Sequence, residues 1–456
     1  MSQFEGRFLS GSTMGHVLRM TLSGTAGITF LFLVDIANLF WISKLGETQL
    51  VAAVGFAFAI QYFSVSFGLG LMIASTALVS RSIGQGRRQE AREQASSTMA
   101  LSVIIQCTVA SVFLFFCPDL VFLIGAEGET ARLTERYLRF TLPSLPLMAV
   151  GMIGSAILRA EGDAYRAMFV TLGSGLVAML VDPILIIWLD LRLDGAGMAV
   201  WFSRICMASL ALWFVICKHN LLARPTALHI RASLAPFSMI AGPTILTQLA
   251  TPFGSYLLTT VVAGFGDSAV AAWALINRLT VLAFGGIFSL SGAVGGIFGQ
   301  NFGAQRYDRL RSTYRDAVIF CIGYPTIVWV VLMLANDWVA KEFGLDVEGV
   351  TLLTAFTHVG AAAFVFTGMM FVATAAFNNL GRPIYSAALN WTREGVVTLP
   401  LAVFFANTFA APGVIYAQAV VAFLLGVLAT VWGFYFILGE PGKQPTSADI
   451  KDDITH

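Results

Sequence analysis

Long runs of apolar residues dominate the chain, and short polar breaks separate them. A transmembrane helix needs about 20 mostly apolar residues, and windows of that length predict twelve such helices. The breaks contain Gly, Pro and charged residues, which is typical of turns. Because the apolar runs are continuous rather than alternating, they favour helices over a transmembrane β-barrel. The predicted helices lie approximately at residues 16–42, 50–78, 97–117, 136–158, 166–188, 196–217, 236–263, 269–297, 316–336, 350–377, 384–405 and 412–438.

Composition supports a membrane protein and excludes several other classes. The chain is 57% hydrophobic and 12% charged, whereas an average globular chain carries about 25% charged residues. This excludes a secreted disulfide scaffold, a disordered protein and a cytosolic enzyme with a single anchor. The net charge of +1 predicts no nucleic-acid partner. The five cysteines and five histidines form neither C-x-x-C nor H-E-x-x-H, so we expect no metal site and no cofactor.

Lys and Arg residues in the loops predict the orientation. If the N-terminus is cytoplasmic, the inner loops hold 14 Lys and Arg residues and the outer loops hold 5. Positive residues concentrate in cytoplasmic loops, so this orientation is favoured over its inverse. An even number of helices then places the C-terminus in the cytoplasm as well. The tail over residues 439–456 is polar and acidic, which is typical of a disordered segment.

The chain also repeats itself with an offset of 219 residues. The loop motif Arg81-Ser-Ile-Gly-Gln-Gly-Arg87 matches Gln300-Asn-Phe-Gly-Ala-Gln-Arg306, and Gly162 matches Gly381 at the same offset. The repeat predicts an all-α membrane protein with twelve transmembrane helices in two pseudo-symmetric six-helix lobes. Two parallel six-helix halves around a cavity are typical of transporters. The predicted boundaries are an N-terminal lobe at 1–218, a cytoplasmic linker at 219–234, a C-terminal lobe at 235–438 and a cytoplasmic tail at 439–456.

Several motifs resemble those of the multidrug and toxic compound extrusion (MATE) family over roughly residues 15–438. The resemblance implies a two-lobe antiporter that exports amphiphilic organic cations in exchange for H+ or Na+. It also implies a small-molecule substrate, a lipid environment, a monomer and a place in the bacterial inner membrane. No protease-like pair of aspartates, no Ser/His pair and no metal motif appears, so we expect no enzymatic activity. The motifs are Asp35-Ile-Ala-Asn-Leu-Phe-Trp-Ile-Ser-Lys-Leu-Gly46, Gly162-Asp-Ala-Tyr-Arg-Ala167, Asp182-Pro183-Ile-Leu-Ile186, Pro243 and Gly299-Gln-Asn-Phe-Gly303.

Charged residues at membrane depth mark functional sites by default. Asp35, Asp182 and Arg204 each lie six to eight residues from the outer end of a predicted helix, about 10 Å into the membrane. We therefore expect one polar cluster in the first lobe, with Asp35 and Asp182 as ion-coupling residues. Asn38 lies one turn from Asp35 and supports either protonation state. Arg204 is expected either to form an ion pair with Asp182 or to have a structural role only, and Pro183 predicts a helix kink beside Asp182.

The choice of coupling ion depends on the second lobe. The resemblance implies that sodium-coupled relatives carry carboxylates near the positions of Thr251 and Gly368, and neither residue is acidic here. Glu394 is the intramembrane acid of this half, and we expect it to pair with Arg278 or Arg393. This pattern favours H+, although a Na+ site built from oxygen ligands in the first lobe remains an alternative.

Polar and aromatic residues inside the predicted helices are candidates for lining a substrate cavity, with simple packing as the alternative for each. His358 is expected to be a packing residue. The arginines also keep open a lipid-linked oligosaccharide flippase of a related two-lobe fold. The cavity candidates are Tyr62, Gln248, Trp273, Asn277 and Asn390.

Overall fold

The computed structural model describes residues 6–439 of the 456-residue chain. The predicted tail from residue 440 onward therefore lies outside the described residues. Within 6–439 the regular structure is helical, and no strand occurs. The α-helices, numbered α1 to α16 in chain order, are Thr13–Ser43, Thr48–Gly84, Arg88–Phe115, Cys117–Leu123, Gly128–Thr141, Leu145–Glu161, Ala164–Pro183, Arg192–Trp213, Ala227–Ala263, Asp267–Gly303, Tyr307–Glu342, Val347–Ala355, Ala361–Asn379, Pro383–Trp391, Thr398–Phe409 and Pro412–Leu438.

These helices account for the twelve predicted spans. Eleven helical segments of the described chain are long and apolar enough to cross a membrane. The remaining span, predicted at 384–405, is also helical, but the π-helical turn Thr392–Val397 divides it into α14 and α15. Two other spans are likewise built from consecutive helices, α5 with α6 and α12 with α13. The predicted all-α membrane fold is therefore confirmed.

The helix boundaries reproduce the internal repeat. Helices α2 and α10 each contain 37 residues, and their first and last residues differ by the predicted offset. Helices α3 and α11 also begin one offset apart, at Arg88 and Tyr307. Gly162 and Gly381 occupy equivalent turns in the left-handed conformation, with φ of 89° and 94°. This conformation favours glycine because a Cβ atom would be strained there.

Contacts divide the described chain into two compact units. The N-terminal unit comprises residues 26–79 and 87–245, and the C-terminal unit comprises residues 6–25, 80–86 and 246–439. The beginning of α1 and the end of α2 thus pack with the C-terminal unit, which the predicted lobe boundaries did not anticipate. Helix α9 begins at Ala227, so the second half of the predicted linker at 219–234 is helical.

Candidate functional site

Helix α7 places a buried carboxyl group beside a proline in the N-terminal unit. Asp182 is 1% exposed and precedes Pro183, which ends the regular helix and is followed by the π-helical turn Ile184–Trp188. Proline lacks a backbone donor and interrupts the helical hydrogen bonds, so the predicted irregularity is present at this point. Neither carboxylate oxygen of Asp182 has a hydrogen-bond partner within the described chain.

Helix α1 places a second carboxyl group, that of Asp35, in the same unit. The Asp35 side chain is exposed. Asp35 and Asp182 are close enough to interact electrostatically. The Asn38 side chain also approaches Asp182, but the contact does not meet the geometry of a hydrogen bond.

Arg204 does not form the ion pair with Asp182 that the sequence suggested. Its Nη1 atom donates to the carbonyl oxygen of Thr141 at 3.1 Å and to Ser144 Oγ at 2.6 Å. The short 3-10 turn Leu142–Ser144 separates α5 from α6 and breaks the regular helical bonding here. Carbonyl groups at a helix end need partners from outside the helix, and Arg204 supplies one. The guanidinium therefore stabilises the α5–α6 junction and leaves the charge of Asp182 unpaired.

Tyr137 joins this cluster and was not identified from the sequence. It is 7% exposed and interacts electrostatically with Arg204, Asp182 and Asp35. Its local sequence does not indicate a buried site, because Tyr137 lies among charged residues on α5. Tyr137 joins the cluster only because α5 packs against α8, the helix that carries Arg204.

The predicted cavity residues separate into exposed and buried groups. Asn277 is exposed, Gln248 is half-buried, and Tyr62 is 37% exposed and stacks on Phe58. Trp273 and Asn390 are buried, at 4% and 3% exposed. Trp273 packs in an apolar core and donates from Nε1 to Thr259 at 3.1 Å. Asn390 donates to the carbonyl oxygen of Ser386 at 2.9 Å in its own helix.

The two intramembrane arginines of the C-terminal unit, Arg393 and Arg278, differ in whether they form an ion pair. The guanidinium of Arg393 binds the carboxylate of Glu394, with an Nε–Oε1 distance of 3.0 Å. This is one of the two ion pairs predicted for Glu394. Arg278 has no ion-pair partner among residues 6–439. His358 donates from Nδ1 to the Thr354 carbonyl oxygen at 3.0 Å, but its side chain is exposed rather than packed.

Comparisons with known proteins agree with this architecture. The family model described as MatE matches residues 26–184 and 243–404. A Shewanella oneidensis protein named "FAD transporter" is 26% identical over 98% of this chain and 99% of its own length. The Staphylococcus aureus "Multidrug export protein MepA" is 23% identical over 91% and 92% of the two chains.

A solved structure supports the same fold. A mutant of the Vibrio cholerae MATE transporter VcmN aligns with a TM-score of 0.88 at 23% identity, covering 93% of this chain and 97% of that chain. At this identity the likeness shows the fold alone. The match of the family model, however, extends over both halves of the sequence. The chain therefore belongs to the MatE family of membrane transporters, the multidrug and toxic compound extrusion family.

Proposed function

We propose that the protein is a secondary active antiporter that exports amphiphilic organic cations in exchange for H+ by alternating access. The observation that carries this proposal is the pair of interacting carboxyl groups, Asp35 and Asp182, in the N-terminal unit. One of them is exposed, and the other is buried without a hydrogen-bond partner in the described chain.

This arrangement suits proton exchange for an electrostatic reason. Two neighbouring carboxylates repel each other when both are ionised, and the uptake of one proton removes the repulsion. Asp35 is exposed, which gives a proton a route into the cluster. Because Arg204 is held by Thr141 and Ser144, it does not neutralise Asp182. A bound organic cation can replace the proton as the partner of these carboxylates, which couples the two movements.

The test is transport in inverted membrane vesicles with an imposed pH gradient. A fluorescent organic cation is added, and proton movement that depends on this cation is recorded. Asp35→Asn is expected to abolish the proton movement, because the amide neither releases nor accepts the coupling proton. Binding of the cation should remain measurable. Asp182→Asn is expected to reduce the proton movement at least tenfold.

The matched control is Asp119→Asn, which changes an exposed aspartate on α4 and should behave like the wild type. Normal proton-coupled transport by Asp35→Asn would refute the coupling assignment. Export driven by a Na+ gradient, with no pH gradient present, would refute H+ as the coupling ion.

Flavin nucleotides are a second candidate cargo. The name of the Shewanella oneidensis relative, "FAD transporter", motivates this candidate. The observation that favours it in this chain is the exposed cation Arg278, which has no carboxylate partner among residues 6–439. An acidic cluster that couples to protons is compatible with a cargo that carries a negative group, provided that another part of the protein binds that group.

A further inference from the structure

Arg278 is an unneutralised cation inside a membrane-spanning helix. It lies on α10, eleven residues after the first residue Asp267, or about 16 Å along the helix axis. Its side chain is exposed and makes no hydrogen bond or ion pair within the part of the chain that the structure describes. The intramembrane acid of this unit, Glu394, is already bound by Arg393. An arginine at such a position needs water or a bound anion.

Helix α10 is covered by protein farther along the chain than Arg278. Ser289 lies beyond the kink at Phe284. It is buried and donates from Oγ to the Thr21 carbonyl oxygen of α1 at 3.0 Å. Gly24 packs directly on the same serine. Beyond the kink, α10 is therefore covered by α1.

Before the kink, α10 is exposed around Arg278. Ala271 and Ala274, which precede Arg278 on its side of the helix, are exposed, and so is the neighbouring Asn277. Small side chains there leave room beside the guanidinium, and the Asn277 amide adds a second hydrogen-bonding group. This exposed stretch thus carries one permanent positive charge, and no acid pairs with it among the described residues.

We propose that Arg278, assisted by Asn277, binds the anionic group of a transported substrate, and that the protein accepts phosphate-bearing organic molecules. The guanidinium presents a rigid set of donors that matches phosphate oxygens. Removal of water around the bound phosphate strengthens this contact. The inference rests on the proposed transport function and deepens its second candidate cargo by naming the residues that bind the phosphate.

The test compares two probes that differ by one phosphate, riboflavin 5′-phosphate and riboflavin. Binding is measured by equilibrium dialysis with the purified full chain in detergent, so no ion gradient is needed. The wild type is expected to bind riboflavin 5′-phosphate at least tenfold more tightly than riboflavin. Arg278→Gln should reduce this ratio to about one, and Arg278→Lys should keep part of it, because lysine retains the charge and loses the planar set of donors.

The control Arg132→Gln removes an exposed arginine that pairs with Glu129 and should leave the ratio unchanged. Equal binding of the two probes by the wild type would overturn the anion site. An unchanged ratio in Arg278→Gln would show that Arg278 does not contact the phosphate. Both results are independent of proton coupling, because the Asp35 experiment measures coupling with a cation and these measurements use neither a gradient nor transport.

Discussion

At the scale of single residues, the turn after α6 shows how a short motif fixes a helix junction. Gly162 ends α6 in the left-handed conformation, with φ of 89°. Asp163 then caps α7 by accepting a hydrogen bond from the backbone N–H of Arg166 at 3.1 Å. The same carboxylate binds the Arg166 guanidinium and lies 2.9 Å from His219 Nε2. The G-D-x-x-R pattern of the sequence is therefore a structural motif in this turn.

The charge of Asp163 makes this junction sensitive to pH. Burial raises the pKa of the Asp163 carboxyl, but hydrogen bonds from the Arg166 backbone and from His219, together with the Arg166 guanidinium, outweigh burial and bring the pKa below its ordinary value. A lowered pKa in the folded protein contributes stability above the ordinary value near 3.9. This contribution is lost as the pH falls through the folded value.

We predict that Asp163→Asn lowers the free energy of unfolding at pH 7 by about 1–3 kcal/mol. Asparagine still caps a helix, so this variant isolates the effect of the charge. The difference from the wild type should close as the pH falls below about 4. Thermal unfolding in detergent across this pH range measures it, and Asp163→Ala adds the loss of the cap. A difference that stays constant with pH would contradict the electrostatic explanation.

At the scale of helices, the two copies of the repeated loop motif pack against each other. A Cβ atom built on Gly84 would lie 2.0 Å from the carbonyl oxygen of Gln300, and one on Gly303 would lie 2.1 Å from that of Arg81. The two contacts are related by the offset of the repeat, so each motif presents its glycine to the first residue of the other. The ends of α2 and α10 therefore need glycine for a close backbone approach.

We predict that Gly303→Ala destabilises the protein by about 1–3 kcal/mol, because the added methyl group forces the two helix ends apart. Gly292→Ala is the control in the same helix, since a Cβ atom there meets nothing within 4 Å. Alanine has a higher helix propensity than glycine, so the control should unfold at the same or a higher temperature. A similar loss of stability in both variants would show that close packing at Gly303 is not the cause.

Much of the helical framework could be predicted from the sequence, and its interruptions could not. Apolar length and the repeat locate the twelve spans because burial in lipid requires about 20 apolar residues in each. The π-helical turn Phe356–Gly360 lies inside an apolar run, and the π-helical turn Phe214–Lys218 ends another. Neither turn contains proline, so local sequence carries no signal for them. The partner of Arg204 was also missed, because the Thr141 carbonyl comes within its reach only once the α5–α6 junction has formed.

At the scale of the whole molecule, the first residues of the described chain belong to the C-terminal unit. Phe8 is 2% exposed, and its backbone N–H donates to the Gln300 side chain at 3.0 Å. The Arg309 guanidinium donates to the carbonyl oxygen of Phe8 at 2.8 Å, and also to those of Ser10 and Gly11. These partners lie about 300 residues apart in sequence, so no local pattern could predict them.

This attachment predicts the protease sensitivity of the N-terminal segment. Trypsin cleaves after arginine, and Arg7 lies beside the buried Phe8 in the short 3-10 helix Arg7–Leu9. Trypsin can cleave here only when the segment opens locally, so the rate of cleavage follows the population of the open state. Arg309→Ala removes hydrogen bonds to three carbonyl groups, and the loss of about 1.4 kcal/mol alone raises that population tenfold. Cleavage after Arg7 should therefore accelerate at least tenfold, as measured by mass spectrometry.

The neighbouring Arg306→Ala provides the control for this experiment. Arg306 is exposed, and in the described part of the chain it makes no side-chain hydrogen bond to residues 6–12. Arg306→Ala removes a similar positive charge near the start of α11, so a general electrostatic effect would change the cleavage rate of both variants alike. Wild-type cleavage in Arg309→Ala would mean that the buried Phe8 ring holds the segment without the guanidinium. Acceleration in Arg309→Ala alone would assign the attachment to Arg309, and with it the pairing of the first described residues with the second half of the chain.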